Sequence, residues 1–391
     1  MKILFLTPVY YPAFKSGGPA IDVFLMHKTL IKKGLKIDVM TTNLFLEDRS
    51  DIEMNKWINV EGIRIKYLPY YLKKNYTFSP QMFWEILKEI KNYDLVHIHL
   101  FWSFHALAGS LASIIYKKPY MISPAGMLYE EAINMKSKYI KKMYYWLLAK
   151  HYVNKASAIH YTTEDERDNT ASFLNINNKS FIIPCGIDLH EFEDLPAKGF
   201  FKEKYPVLKD KRYILFLGRI HVKKGIDILV QAFKKLVEKY QDLFLVLAGP
   251  DNDNYTKEIQ ANLKRYSLLD KVLFPGILLG RDKISAYADA EMFVLSSYSE
   301  NFANAVVEAM ASGAPVVISD KVGIFKTVEE NQAGIIVKPN TESLFKGMKI
   351  LLDNPELCNK IKTNAKRLVK EKYDVNKVAD TVIKAYKELI K

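Results

Sequence analysis

Strand-like and helix-like stretches alternate along the whole chain. Short apolar runs bounded by Gly, Pro or Asn are typical of buried strands, whereas apolar residues spaced three and four apart are typical of helices. The first half contains the predicted strands KILFLTP, KIDVMTTN, GIRIKYLP, DLVHIHL, PYMISPAG, AIHYTT and SFIIPCG. The second half contains YILFLGR, LFLVLAGP, VLFPG, MFVLSS, PVVISD and AGIIVKP. Because apolar strands that alternate with helices form parallel sheets covered on both faces, the pattern predicts an α/β protein with two doubly wound domains.

A stretch rich in turn-forming residues separates the two series. Residues 183–199 read IPCGIDLHEFEDLPAKG, with two prolines and two glycines, a composition typical of a linker. The predicted parts are an N-terminal Rossmann-like domain at 1–183, a linker at 184–199, a C-terminal domain at 200–375 and a final amphipathic helix at 376–391. We expect the final helix to pack on the N-terminal domain, and the two domains to face each other across a ligand-binding cleft.

The segment SENFANAVVEAM, residues 299–310, places one glutamate before a predicted helix and another inside it. Positions eight apart in one helix differ by roughly 80° in direction and about 12 Å along the axis. Glu300 and Glu308 therefore cannot bind one atom, but they can bind the two ends of an extended ligand. Free N–H groups in the first helical turn favour a phosphate between the two glutamates. A ligand with hydroxyl groups at both ends and phosphates in the middle is a nucleotide sugar. The alternative is that Glu300 caps the helix and Glu308 is solvated.

The segment LGRIHVKKGIDIL, residues 217–229, follows a strand and opens a helix. Gly218 and Gly225 allow tight turns, and Arg219 and Lys224 place two cations on the loop between them. An arginine and a lysine together neutralise a diphosphate without a metal. The alternative is a solvated loop that is basic by chance.

Taken together, these motifs resemble the retaining glycosyltransferases of family 4. The resemblance covers nearly the whole chain and includes SGGPAID with Gly17 and Gly18, the strand DLVHIHL, the segment IPCGID and SENFANAVVEAMASGAPVV. It implies the GT-B fold and the transfer of a hexosyl unit from a nucleotide-diphosphate sugar, with retention of anomeric configuration. The implied product is a surface polysaccharide such as lipopolysaccharide, or its lipid-linked precursor, and the implied donor is linked to UDP or GDP.

The resemblance also implies roles for individual residues. Arg219 and Lys224 would hold the diphosphate and stabilise the leaving charge, Glu308 the ribose hydroxyls and Glu300 the hydroxyls of the donor sugar. Close backbone contacts with the donor would come from the remaining positions of the binding set, Gly17, Gly18, Gly218, Ile277, Asn301, Phe302 and Ala303. His99 would lie beside the reacting sugar.

Two features depart from the family pattern. Relatives often have Glu-Gly-Phe-Gly where this chain has ENFA, so that Asn301 and Ala303 make the backbone less permissive. Relatives often carry a histidine in the loop after the fifth strand, where this chain reads ISPAGM with Ala125. We expect His105 to supply the missing contacts.

Other motifs exclude several classes of enzyme. The chain has no Gly-x-Ser-x-Gly, Gly-x-Gly-x-x-Gly or P-loop, which argues against a hydrolase, a nicotinamide enzyme or an NTPase. Asp251 and Asp253 form an Asp-x-Asp that chelates metal in other glycosyltransferases, but a turn and a helix start surround it here, so we predict capping and no metal cofactor. A GT-B epimerase acting on a nucleotide sugar and a catalytically silent nucleotide-sugar-binding partner stay open as alternatives.

Charge and composition bear on location. The net charge is +13, the two cysteines match no metal spacing, and no apolar run reaches the length of a membrane span, so we expect a cytoplasmic protein with reduced thiols. Residues 134–155 mix lysines with aromatic residues at helical spacing. Such a helix either lies on an anionic membrane surface or packs its aromatic side chains inward. Nothing accompanies the charge that predicts nucleic-acid binding.

Overall fold

A computed structural model describes residues 1–13, 18–46, 52–72, 76–135 and 137–390. The chain divides into two compact units, one formed by Met1–Gly186 with Val375–Lys391 and the other by Ile187–Asp374. The division after residue 186 falls within the stretch that we predicted as a linker. The second division, after residue 374, lies at the start of the predicted C-terminal helix.

The first unit is built on an eight-stranded sheet. Its strands are β1 Lys2–Leu6, β2 Lys36–Thr42, β3 Trp57–Val60, β4 Ile63–Leu68, β5 Leu95–His99, β6 Tyr120–Ser123, β7 Ala158–Tyr161 and β8 Ser180–Ile182. They lie in the order β3-β4-β2-β1-β5-β6-β7-β8. Only the edge strand β3 is antiparallel to its neighbour, and this strand was not predicted from the sequence.

Helices cover both faces of this sheet. They are α1 Gly18–Lys32, α2 Pro80–Glu89, α3 Phe104–Ile115, α4 Glu130–Met135, α5 Lys138–Tyr144, α6 Lys150–Asn154, α7 Glu164–Leu174 and the C-terminal helix Val375–Ile390; a π-helical turn, Tyr145–Ala149, joins α5 to α6, and a 3-10 turn, Ile90–Asn92, follows α2. Successive residues of a strand point to opposite faces. Leu4 and Leu6 accordingly enter one core with α2 and α3, whereas Ile3 and Phe5 enter another with α1 and the C-terminal helix.

A chain of hydrogen bonds holds the C-terminal helix against this sheet. The Nε2 atom of His160 lies 2.9 Å from the carbonyl oxygen of Ile183 and therefore carries a proton. Its Nδ1 atom then accepts from Nε2 of His97, at 3.4 Å. The Nδ1 atom of His97 in turn accepts from the hydroxyl group of Tyr386, at 2.7 Å. Since His97 and Tyr386 are buried, these bonds satisfy groups that water cannot reach.

The second unit has a six-stranded parallel sheet. Its strands are β9 Arg212–Leu217, β10 Leu243–Ala248, β11 Val272–Gly276, β12 Met292–Leu295, β13 Val316–Ser319 and β14 Ile335–Val337. Its helices are α8 Phe200–Lys204, α9 Ile226–Val237, α10 Tyr255–Arg265, α11 Gly280–Ala288, α12 Asn304–Ala311, α13 Phe325–Glu330, α14 Thr341–Asp353 and α15 Pro355–Leu368. Short 3-10 turns lie at Leu189–Phe192, Pro206–Leu208, Val222–Lys224 and Leu269–Lys271, and a π-helical turn at Val369–Tyr373. All six strands were predicted, whereas α8, α13 and α15 were not.

The order of the strands fixes where each sheet can bind a ligand. In the second unit the order is β11-β10-β9-β12-β13-β14, so the chain proceeds one way from β9 and the other way from β12. In the first unit the direction changes between β1 and β5. Doubly wound sheets bind ligands beyond the carboxyl ends of the strands at such a point. The loops after β9 and β12 lie at such a point of the second sheet, and His99 at the end of β5 lies at such a point of the first sheet.

No helix in the described part of the chain combines the length and the apolar composition that crossing a bilayer requires. Both cysteines are free thiols.

The substitution Tyr386→Phe should destabilise the first unit by about 1–3 kcal/mol, because it leaves Nδ1 of His97 as a buried acceptor without a donor. All four tryptophans belong to this unit, so the change is measurable as a lower midpoint of urea unfolding followed by tryptophan fluorescence. Tyr139→Phe, at a side chain that is 83% exposed, is the matched control and should leave the midpoint unchanged. Equal midpoints for the parent and Tyr386→Phe would contradict the role of this bond.

Candidate active site

The loop after β9 begins with a close contact between two glycines and ends with a close contact between Gly225 and Ser296. A Cβ atom on Gly249, the residue after β10, would lie 1.9 Å from the carbonyl oxygen of Gly218. Gly225 has a φ of +64°, and a Cβ atom there would lie 2.1 Å from the carbonyl oxygen of Ser296. Only glycine fits both the left-handed backbone and the space at Gly225. The loop that carries the predicted cations is therefore held at both ends.

The loop after β12 is joined to the loop after β9. The hydroxyl group of Ser296 donates to the carbonyl oxygen of Gly225 at 2.7 Å, and the backbone amide of Tyr298 donates to the carbonyl oxygen of Lys223 at 2.8 Å. The hydroxyl group of Tyr298 also donates to Asp227 at 2.7 Å. These bonds fix the backbones of the two loops, residues 219–225 and 296–303, relative to each other.

Lys224 and Glu300 form an ion pair across these two loops. Their side chains are 17% and 22% exposed, so a ligand can reach them. The backbone of Glu300 is held by two further bonds, from its amide to Lys321 at 2.9 Å and from Gly323 to its carbonyl oxygen at 2.8 Å. Glu300 does not cap α12, because the N-cap residue is Ala303 and the carboxylate of Glu300 pairs with Lys224 instead. The capping alternative for Glu300 is therefore wrong.

Glu308 is enclosed by polar partners inside α12. Its Oε1 atom lies 2.7 Å from Nζ of Lys283, and its Oε2 atom accepts from the hydroxyl group of Tyr287 at 3.1 Å. Burial, together with the Glu308 carboxylate, raises the pKa of Tyr287 well above its ordinary value, so that this hydroxyl stays a donor. With a side chain only 19% exposed, Glu308 is not the solvated residue of the alternative interpretation.

Lys283 and Tyr287 were not predicted from the sequence. They lie four residues apart on α11 and so share one face of that helix. This spacing was the only signal in the sequence. It gave no reason to connect either side chain with Glu308.

Arg219 has no such partner. Its residue is exposed, and within the described ranges its guanidinium group makes no ion pair or hydrogen bond. Burial and the positive charge of Arg219 lower the pKa of His221. The side chain of His221 accepts from the amide of Lys223 at 3.0 Å and so starts the short helical turn that ends at Lys224.

The remaining predicted donor contacts lie at the ends of neighbouring elements. Ile277 follows β11 and is 62% exposed. Phe302 is buried and packs edge-to-face on Tyr373, so its side chain belongs to the core. Ala303 has a left-handed φ of 72°, the conformation that favours the glycine of relatives. Asn301 is partly buried beside them.

In the first unit, Gly17 lies outside the described residues and Gly18 begins α1. His99 ends β5 beside a cavity of about 80 Å³ that His27, His97 and His160 also line. Burial first, and the nearby histidines second, lower the pKa of His99 to about 3. Its Nε2 atom is buried and has no hydrogen-bond partner in the described ranges. His97 and His99 share one face of the strand, as predicted.

His105 does not face the same cavity. It is buried, and its Nε2 atom donates to the carbonyl oxygen of His99 at 2.8 Å. It therefore holds the end of β5 through the backbone, in a place from which it does not replace a loop histidine. This geometry does not support the contact role that we expected of His105.

A buried carboxylate that was not predicted from the sequence holds the loop containing Ala125. Glu166 is fully buried and accepts from the amide of Gly126 at 2.5 Å and from the amide and hydroxyl of Thr162, each at 2.8 Å. The signal in the sequence was Thr163-x-x-Glu166, the pattern that starts a helix. Its role in joining two loop ends was not readable from that pattern.

The Asp-x-Asp motif caps α10, as predicted. The carboxylate of Asp251 accepts from the amides of Asp253, Tyr255 and Thr256 at 3.1, 3.0 and 2.8 Å. Asp253 lies 3.7 Å from His221.

The architecture is that of the GT-B glycosyltransferases. HepE from Anabaena, solved in complex with UDP-glucose, has a TM-score of 0.77 to this chain at 19% identity and covers 100% of both chains. This similarity confirms the predicted fold.

Two family models match consecutive parts of the chain. The model Glycosyltransferase Family 4 matches residues 16–191 and the model Glycosyl transferases group 1 matches residues 198–368. The chain therefore belongs to glycosyltransferase family 4, as the resemblance predicted.

Named relatives agree with this membership. An uncharacterized glycosyltransferase of Methanocaldococcus jannaschii is 28% identical over 99% of this chain and 98% of its own length. The alpha-monoglucosyldiacylglycerol synthase of Streptococcus pneumoniae is 25% identical over 86% of this chain and 78% of its own length.

The stability of the first unit should fall as the pH is lowered from 7.5 to 5. Burial lowers the pKa of His27 and His99 to about 3 and that of His105 and His160 to about 4, from an ordinary value of 6.5. Below pH 6.5 the unfolded chain thus binds protons that the folded unit excludes, so each histidine lowers the free energy of unfolding by up to ~1.4 kcal/mol per pH unit.

Urea unfolding followed by tryptophan fluorescence at several pH values measures this slope. A His160→Gln variant should lose about one proton from the slope, whereas His151→Gln, at an exposed position, should keep it. A free energy of unfolding that does not change between pH 7.5 and 5 would contradict the burial of neutral histidines.

Proposed function

We propose that the protein is a retaining hexosyltransferase that uses a nucleotide-diphosphate sugar and acts on a glycan or lipid-linked acceptor in the synthesis of a surface polysaccharide. The observation that carries this proposal is the arrangement of side chains at the point where the strand order of the second sheet changes direction, between β9 and β12. There the exposed Arg219 and the Lys224–Glu300 ion pair lie on loops fixed by backbone contacts. Glu308 follows on the next helix with both oxygens occupied.

The two cations suit a diphosphate. Arg219 offers a guanidinium group without a carboxylate partner in the described ranges, which can bind two phosphate oxygens at once. Glu300 neutralises the charge of Lys224. A diphosphate carries more negative charge than a carboxylate, so it competes with Glu300 for Lys224. Glu300 is then released toward the hydroxyl groups of the donor sugar.

The other end of the donor suits Glu308. Carboxylate oxygens accept from ribose hydroxyls, and Tyr287 and Lys283 hold this carboxylate in one orientation. We assign the contact with the base to the backbone of Ile277, an exposed residue after β11. A UDP-linked donor is supported by HepE, which was solved with UDP-glucose, and a lipid-linked acceptor by the alpha-monoglucosyldiacylglycerol synthase among the relatives. GDP stays an alternative for the base.

The reaction that we propose needs no nucleophile from the protein. The bond between the anomeric carbon and the diphosphate oxygen breaks, the acceptor hydroxyl attacks from the same face, and its proton passes to the leaving diphosphate. Arg219 and Lys224 stabilise the charge that develops on this oxygen. His99 takes part as a neutral side chain, because its pKa of about 3 keeps it unprotonated at neutral pH. We propose that this reaction takes place in the cytoplasm, the location predicted from the sequence.

Metal independence is part of the proposal. Two protein cations supply the positive charge that a divalent metal supplies in other glycosyltransferases. Transfer should therefore continue at an unchanged rate in the presence of a chelator. A chelator-sensitive rate that returns on adding Mg²⁺ or Mn²⁺ would contradict this part.

The proposal is tested by offering UDP- and GDP-sugars with and without oligosaccharide or glycolipid acceptors. Nucleotides that bind should raise the melting temperature and so select the donor. We expect release of the nucleoside diphosphate to depend on the acceptor, and the product to keep the anomeric configuration of the donor. Conversion of the donor without an acceptor would indicate an epimerase. Binding without turnover for every acceptor would indicate a silent partner.

The two glutamates should separate binding from turnover. Glu300→Gln frees Lys224, so affinity for the nucleoside diphosphate should rise ~3- to 10-fold, while kcat falls ~100-fold because a contact to the reacting sugar is lost. Glu308→Gln should instead weaken nucleotide binding ~10- to 100-fold, the loss of one charge-assisted hydrogen bond. Isothermal titration and initial rates measure both effects.

The control for both substitutions is Glu330→Gln at an exposed position on α13, which should match the parent. Equal losses of nucleotide affinity in Glu300→Gln and Glu308→Gln would overturn the separate roles proposed for these two residues.

A further inference from the structure

The π-helical turn and the helices on either side of it carry a stripe of exposed apolar side chains. At about 100° per residue they fall within an arc of roughly 120°, which contains Tyr139, Ile140, Met143, Trp146 and Leu147. Tyr139 is 83% exposed, Leu147 64% and Trp146 52%. We call these five residues the apolar stripe. Exposed large side chains are common singly, but a contiguous set is typical of an interaction surface.

The opposite face of the same segment explains its fold. Tyr145, Ala149 and Tyr152 are each no more than 2% exposed and belong to the core that includes α2 and α3. The sequence left two interpretations open for residues 134–155, a helix on a membrane surface or a helix that packs its aromatic side chains inward. The structure divides the aromatic residues between the two. Tyr145 and Tyr152 pack inward, whereas Tyr139 and Trp146 point outward. The apolar stripe is thus not needed to build the core.

The charge around the apolar stripe has one sign. From residue 132 to residue 163 the sequence has no aspartate or glutamate. Lys138, Lys142 and Lys150 form no ion pair with any carboxylate of the described chain. The Nζ atom of Lys150 lies 4.3 Å from the centre of the Trp146 ring, which keeps a cation beside the most amphipathic residue of the stripe. A partner that matches this surface must therefore offer an apolar region and negative charge side by side.

We propose that the apolar stripe and these three lysines bind the surface of an anionic lipid bilayer. The segment would lie parallel to the membrane plane, with Met143, Trp146 and Leu147 below the headgroups and the lysines at the level of the lipid phosphates. A bilayer of acidic phospholipids supplies both properties at once, and amphipathic helices with lysine and tryptophan bind such surfaces.

A second copy of this chain is a poorer occupant. A symmetric contact between two such surfaces would bring the unpaired lysines of both copies together, and like charges across an interface oppose association. The proposal goes beyond the transferase activity and does not depend on it, because binding to lipid needs neither donor nor acceptor.

The test is co-sedimentation of the full chain with vesicles of phosphatidylcholine alone, or of phosphatidylcholine with phosphatidylglycerol, in the absence of any nucleotide sugar. We expect binding at least ~10-fold stronger to the anionic vesicles, weakening as salt is raised. The double variant Trp146→Ser with Leu147→Ser should lose ~10-fold or more of this binding. Lys142→Gln with Lys150→Gln should lose the preference for anionic lipid.

Trp84→Ser is the matched control, since Trp84 is an exposed tryptophan at 61% that lies on α2, outside the stripe. It should bind vesicles like the parent. Thermal unfolding of each variant shows whether it is folded. The proposal is overturned if the Trp146 and Leu147 variant binds as the parent does. It is equally overturned if the parent binds neither kind of vesicle. A dimer in sedimentation equilibrium that this variant abolishes would then identify a second copy of the chain as the occupant of the stripe. Transfer to a water-soluble acceptor tests the proposed activity separately.

Discussion

The contact between Gly225 and Ser296 is the constraint on which the candidate site depends. The carbonyl oxygen of Ser296 occupies the space that a side chain at residue 225 would need, so the loops after β9 and β12 approach as closely as two backbones can. Lys224 comes directly before this contact and Glu300 four residues after it. Their ion pair thus follows from backbone packing at the switch point of the sheet, rather than from the flexibility of two long side chains. A charge pair set in this way loses little entropy when a ligand rearranges it.

The site contains its own counter-charges. Each of the two carboxylates that we assign to the donor has a lysine partner, Lys224 for Glu300 and Lys283 for Glu308. Arg219 differs because it has no partner within the described ranges. An anionic ligand would therefore meet the arginine first and exchange with Glu300 afterwards. The left-handed Ala303 at the start of α12 adds backbone strain of order 1 kcal/mol. Strained backbone of this kind is common at binding sites, and we expect phosphate or sugar to bind here.

Much of this arrangement was predictable because it follows from local patterns. Apolar runs identified every parallel strand, since a strand covered on both faces must be apolar throughout. The antiparallel β3 escaped because an edge strand of four residues, WINV, is only partly buried. The cations and carboxylates were found by spacing within single segments. Lys283 and Tyr287 were not, because their connection to Glu308 is made by the packing of α11 on α12, which no spacing in the sequence records.

The pKa values of the buried histidines could not be predicted from the sequence either. The alternation in VHIH gave the common face of His97 and His99, but the pKa of a histidine depends on what surrounds it in three dimensions. Here the surroundings include the last helix of the chain, whose Tyr386 donates to His97. The first unit thus needs two residues far apart in the sequence, His97 and Tyr386, before the Nδ1 atom of His97 has its donor. A ribosome that has made only the first 186 residues has made every strand of this sheet, yet it leaves His97 without its donor. We infer that the first unit reaches its final stability only when the C-terminal helix has been added, after the whole second unit has been synthesised.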